Sequence, residues 1–219
     1  MRHTTRARNR SSQRLGQLLV MLALAILCAC AYRPVPHLDY GAQRGIDVPA
    51  APSNQAQVVF WVSAMNPKLE LAIYQDDPQR HDLQLGVLRY ATWFATRVDP
   101  GKHRFAVVSP QSADFTVGDL EAGKTYLLEA QNIFGERYRL QPVTTDMNSL
   151  GGPITNLMRG CFHVSPNSLT ASESARLAGT RRQTLARYLE KWLTKPVEDR
   201  RRIRPEQAID GPVSELLPQ

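Results

Sequence analysis

The chain has 219 residues, 21% of them charged and 42% hydrophobic, with a formal net charge of +7. That length bounds it to one domain, or one domain with appendages. Five of the basic residues (Arg2, Arg6, Arg8, Arg10 and Arg14) stand at the start with no acid among them, so only +2 remains beyond residue 29 and the basic balance gives no argument for nucleic-acid binding.

The first 29 residues read as a secretory leader. A basic start is followed by an apolar run from about Leu15 to Leu27, interrupted only by Gly16 and Gln17. That run falls short of the roughly 20 apolar residues needed to span a bilayer. The stretch Leu27-Cys28-Ala29-Cys30 resembles a bacterial lipoprotein signal, with Leu, a tolerant position and a small residue before an acceptor cysteine. The resemblance implies cleavage before Cys30 and lipidation there. Cys28 fits worse, because Leu27 would occupy the small-residue position. An uncleaved signal anchor, or an ordinary leader cut nearby, is the alternative. Each buried methylene of an acyl anchor contributes roughly 0.8 kcal/mol, so several chains hold a protein on the membrane permanently. Ala31, rather than Asp, follows the cysteine, which by the same resemblance favours the outer membrane. Cys161 is then the one cysteine left over, expected as a buried small hydrophobe, with intermolecular pairing as the alternative.

Residues 30–55 carry Pro34, Pro36, Pro49 and Pro52 and few large apolar side chains, and are expected to form a tether. Strand signals fill residues 56–145. Residues 57–62 are rich in β-branched and aromatic side chains; Leu69, Leu71 and Ile73 alternate with Glu70, Ala72 and Tyr74, as in a half-buried strand. Leu83, Leu85 and Val87 alternate again, and Trp93 and Phe94 mark the next candidate. Asp99-Pro100-Gly101-Lys102 is a turn signal, with Pro presetting φ and Gly accepting φ > 0. Further strands are expected around 103–108, 115–117, 125–131 and 138–143. About seven short strands suggest a mainly β chain, an antiparallel immunoglobulin-like β-sandwich.

Asp99-Pro100-Gly101-Lys102-His103-Arg104-Phe105, followed by Leu120-Glu121-Ala122-Gly123-Lys124-Thr125-Tyr126, resembles an uncharacterised family of short bacterial lipoproteins that share a domain of unknown function. The two hairpin motifs also occur in carboxypeptidase-regulatory-like sandwiches. The resemblance covers roughly residues 56–145 and implies the sandwich fold, with no catalytic residues carried over. The chain departs from the pattern at residues 76–82, where an acidic loop replaces a short Gly-containing turn.

Residues 146–169 have turn composition, with a short helix or packed loop at Ile154, Leu157, Met158 and Cys161. Thr170-Ala171-Ser172-Glu173 is a capping box. It opens a C-terminal amphipathic α-helix to about residue 194, with Leu177, Leu185, Tyr188, Leu189 and Trp192 on one stripe. Within residues 170–204 ten Lys or Arg stand against four acids. Arg181, Arg182, Arg187, Arg200, Arg201 and Arg202 are the candidate binding residues, facing anionic lipid headgroups, lipopolysaccharide phosphates or an acidic protein partner. The competing reading is a solvated helix face. Residues 205–219 are expected to be a loosely packed tail.

Other chemistry has little support. His37, His81, His103 and His163 are scattered, and no Cys/His pair has ligand spacing, so neither metal nor cofactor is expected. Asp76, Asp77 and Asp82 lack the ligand spacing of a dedicated calcium loop. No phosphate loop, dinucleotide fingerprint or Gly-x-Ser-x-Gly occurs. The expectation is therefore a non-enzymatic envelope binding or assembly module, with a peptidoglycan- or lipopolysaccharide-binding lipoprotein as one alternative. An envelope enzyme using Cys161 and His163, or His103, is the other.

Overall fold

A computed structural model describes residues 48–62, 69–77, 80–144, 161–164, 171–211 and 213, with residues 76, 77, 80–82, 171–178 and 180 described by backbone alone. The leader, Cys30, most of the tether, His37 and most of the 146–169 segment lie outside the described residues, as do the side chains of Asp76, Asp77, His81, Asp82 and Leu177. All described residues belong to the unit Asp39–Gln219. No helix among them is long and apolar enough to cross a membrane.

Two sheets face each other. Among the described residues ten strands run in chain order: β1 (Ala56–Val62), β2 (Leu71–Asp77), β3 (Arg80–Leu88), β4 (Thr92–Val98), β5 (Gly101–Val108), β6 (Ala113–Leu120), β7 (Thr125–Phe134), β8 (Arg137–Val143), β9 (Phe162–His163) and β10 (Ala208–Ile209). One sheet has the order β10-β7-β1-β4-β9, with β8 also on β7; the other is β3-β2-β5-β6. Pairing is antiparallel except for β1 with β7 and β4 with β9. The mainly β sandwich read from the sequence is the observed architecture.

The alternation of each strand divides its side chains between two layers. Val58, Phe60, Ile73, Phe94, Phe105, Val107 and Leu128 fill the space between the sheets. Phe60 meets Phe94 and Phe105 at centroid distances of 5.3 and 5.4 Å, spacings that favour tilted and edge-on aromatic pairs. Both turns form as the sequence predicts, but neither closes a hairpin, because β4 does not pair with β5 nor β6 with β7. Gly101 and Gly123 take φ of +119° and +74°, and each turn carries the chain from one sheet to the other.

Both outer faces are also covered. On the first sheet, Val59, Trp61, Trp93 and Leu127 lie under Val48, Cys161, Ile209 and Val213. On the second, Ala72, Tyr74, Ala106, Val108 and Phe115 lie under helix α1 (Ala171–Leu193) through Leu185, Tyr188, Leu189 and Trp192. Strand β2, expected to be half-buried, therefore hides Leu71, Ala72, Ile73 and Tyr74 alike. The tail also departs from expectation. Ile209 and Val213 are buried, β10 continues the β7 edge where β8 leaves it, and the Val213 N–H donates to the Val48 carbonyl at 3.1 Å.

Candidate functional site

Helix α1 ends beside one end of the second sheet. Pro196 follows its last turn and a single 3-10 turn (Val197–Asp199) reverses the chain. Residues 200–204 then run extended past β6. The Val117 N–H donates to the Arg201 carbonyl at 3.1 Å and the Ile203 N–H to the Val117 carbonyl at 2.7 Å. An extended segment alternates its side chains. Arg201 and Ile203 therefore turn toward the sandwich, where Ile203 enters the core, while Arg200, Arg202 and Arg204 line a groove. Lys102 and Arg104 of β5 form its opposite wall, Asp119 is the acid within it, and its volume is about 750 Å³.

Trp192 anchors the groove's inner end. It is buried against Phe115, 5.6 Å between centroids. The guanidinium carbons of Arg200 and Arg104 lie 4.7 and 5.3 Å from its indole centroid, within cation–π range. Arg200 also donates from Nε to the Lys195 carbonyl (3.1 Å) and from Nη2 to the Leu193 carbonyl (2.8 Å), closing the helix C-terminus, where a cation meets the negative end of the dipole. Arg202 Nη2 donates to the Val197 carbonyl at 3.3 Å.

The six arginines read from the sequence thus separate into three kinds. Arg181 is 3% exposed and structural: its Nη2 donates to the Glu70 carbonyl at 2.9 Å and lies 3.7 Å from the Glu70 carboxylate, which Arg89 also holds at 3.0 Å. Arg201 is structural too, paired with Asp114 and donating to the Leu140 carbonyl. Arg182 and Arg187 are exposed on the helix, Arg187 lying over Tyr188. Arg200 and Arg202 alone among the six line the groove. Their hydrogen bonds go to neutral carbonyls, and among the described residues neither forms an ion pair with a carboxylate. Lys102 and Arg104 were not among the candidate residues. Their two-residue spacing, one face of β5 continuing into buried Ala106 and Val108, was the available signal.

Cys161 is buried, its Sγ donates to the Val62 carbonyl at 3.6 Å, and burial, then the Glu129 carboxylate, pushes its thiol up to about 12. A nucleophilic cysteine needs the thiolate. His163 packs on Trp93, 4.6 Å between centroids, and both line a second cavity of about 380 Å³ that Cys161 does not border. His103 is held by its neighbours: Nε2–H donates to the Asp99 carbonyl at 2.6 Å and Nδ1 accepts from Gln75 Nε2 at 2.9 Å. Among the described residues no three His, Cys, Asp or Glu side chains converge as metal ligands would.

No protein-family model matches the chain. No curated protein matches it either.

Proposed function

We propose that this chain is a lipid-anchored bacterial envelope protein that binds an anionic envelope component through the groove beneath Trp192, without catalysing a reaction on it. One observation carries the reading: Arg200 and Arg202 line the groove with carbonyls as their hydrogen-bond partners and, among the described residues, with no carboxylate ion-paired to either. Lys102 on the facing wall has the same sign, and Asp119 is the acid lining the space. Like charges gathered around one cavity raise the local concentration of an anion. The location follows from the lipobox-like Leu27-Cys28-Ala29-Cys30, with the outer membrane favoured by Ala31. The resemblance of residues 99–126 to short bacterial lipoproteins points the same way.

A protein partner is the second reading. It is favoured by Ile133 and Phe134 at the tip of the β7–β8 hairpin, 56% and 81% exposed. Apolar side chains so exposed mark contact sites when they cluster.

In-cell crosslinking of the tagged protein, followed by mass spectrometry, separates the two. Capture of lipopolysaccharide, peptidoglycan or anionic lipid supports the groove. Capture of a protein crosslinked at the hairpin replaces it with the assembly reading. The anchor has its own test: Cys30→Ser abolishes acyl labelling and leaves an unprocessed precursor, whereas persisting label moves the anchor elsewhere.

A further inference from the structure

We infer that the groove is a phosphate-ester site, in which Trp192 acts as a positioning residue for the two guanidinium groups packed on it. This rests on the anionic-ligand reading and narrows it to one chemical class.

Donor density favours a phosphate. A carboxylate offers two oxygens and a single negative charge, which one guanidinium fork can match. A phosphate monoester offers three strong acceptor oxygens and about −1.5 to −2 charge, so it takes several cations at once. Arg104, Arg200, Arg202, Arg204 and Lys102 all border one space, with Arg204 3.6 Å from the Glu206 carboxylate and Lys102 cross-strand from Asp119. Arg200 spends two of its N–H donors on carbonyls and Arg202 one, and a guanidinium has five. Both keep donors for a ligand.

The groove's guanidinium groups are also pre-organised. Arg200 is fixed by two backbone carbonyls and by the Trp192 ring, and the same ring holds Arg104. Side chains already ordered lose little freedom on binding, and a planar fork held in place recognises phosphate geometry better than a mobile ammonium.

Size and lining narrow the ligand further. A space of about 750 Å³ far exceeds inorganic phosphate, and Val117, Val197 and Pro205 supply apolar wall beside the cations. The ligand is therefore a phosphate monoester carried on a sugar or glycerol body whose carbon face lies on that wall. Phosphatidic acid and a phosphorylated glycan share this chemistry.

The test uses full-length protein in a zwitterionic detergent. Glucose 1-phosphate and glucuronate are titrated first, then polyphosphate and polyglucuronate of matched charge. The expected result is a preference for the phosphate member of each pair of about tenfold or more. Arg200→Lys keeps the charge and loses most of that preference. Trp192→Phe keeps the helix packed and the salt dependence of binding, yet lowers the preference, which a merely structural tryptophan would leave unmoved. Vesicles of phosphatidylcholine with about 20% phosphatidic acid, and lipopolysaccharide before and after dephosphorylation, then identify the source. Binding to either phosphate-bearing source supports the site. Equal binding of phosphate and carboxylate probes overturns the phosphate inference while the anionic reading stands. No salt-sensitive binding to any probe overturns both.

Discussion

Ile203 occupies the space that a side chain at position 118 would need. A Cβ built on Gly118 would stand 2.8 Å from Ile203 Cβ and Cδ1. The closeness of β6 to the 200–204 segment thus depends on a glycine, and that segment carries the groove's arginines. Its other ties to β6 are the two backbone bonds to Val117 and the Arg201–Asp114 pair.

Gly118→Val is accordingly expected to lower stability by about 1–3 kcal/mol, the usual cost of overpacking. It should also loosen the segment. Urea unfolding measures the first effect, and faster tryptic cleavage between residues 200 and 204 under native conditions measures the second.

Arg181 and the groove arginines should respond in opposite ways. Arg181→Met removes a bond to a carbonyl and a cation from beside Glu70, and should cost about 1–3 kcal/mol in urea unfolding with anion binding unchanged. Arg202→Gln, at an exposed position, should stay within about 0.5 kcal/mol of the parent and weaken anion binding. A stability loss at Arg202 equal to that at Arg181 would contradict the division.

Trp192→Ala should cost about 3–5 kcal/mol, because the ring is buried between Phe115 and two guanidinium groups. Trp192→Phe should recover most of it. Thermal and urea unfolding of the two variants provide the comparison.

The sandwich was legible because period-two alternation and turn chemistry are local signals. Asp99-Pro100-Gly101-Lys102 and Ala122-Gly123-Lys124 specify their turns with no help from distant residues. The helix stripe at Leu185, Tyr188, Leu189 and Trp192 was equally plain. What covers a strand's second face is not local: β2 reads as half-buried until α1 is laid across it. The site was legible as a charge excess but not as a geometry. Arg181 sits one turn before Leu185, so helical spacing places it on the buried stripe, which a count of charges overlooks. Arg201 parts from Arg200 and Arg202 because the segment is extended, a property imposed by pairing with Val117. Lys102 and Arg104 lie about a hundred residues before the arginines they face, and no sequence period links them.

The Cys161 thiol gives a pH prediction. Its pKa in the fold is raised to about 12 from an ordinary 9.0. The unfolded chain therefore releases this proton first as pH rises. The thiol's contribution is complete below about pH 9 and is lost as pH climbs from there toward about 12. Cys161→Ala should flatten that alkaline limb of the stability profile. Iodoacetamide at pH 8 should modify the native protein on Cys161 only at the rate of unfolding, as read by mass spectrometry of the peptide containing Cys161.

The most direct test of the central claim is the salt dependence of binding to immobilised lipopolysaccharide, for the full-length protein and for Arg200→Gln/Arg202→Gln, both in zwitterionic detergent. Exposed charges are screened over about 8 Å at physiological salt, so groove-driven binding must weaken steeply as sodium chloride rises. Salt-sensitive binding is predicted for the parent chain, and weaker binding with a shallower salt dependence for the double variant, at a temperature where both remain folded because loss of the Arg200 bonds costs some stability. Indistinguishable binding curves for the two proteins would contradict it.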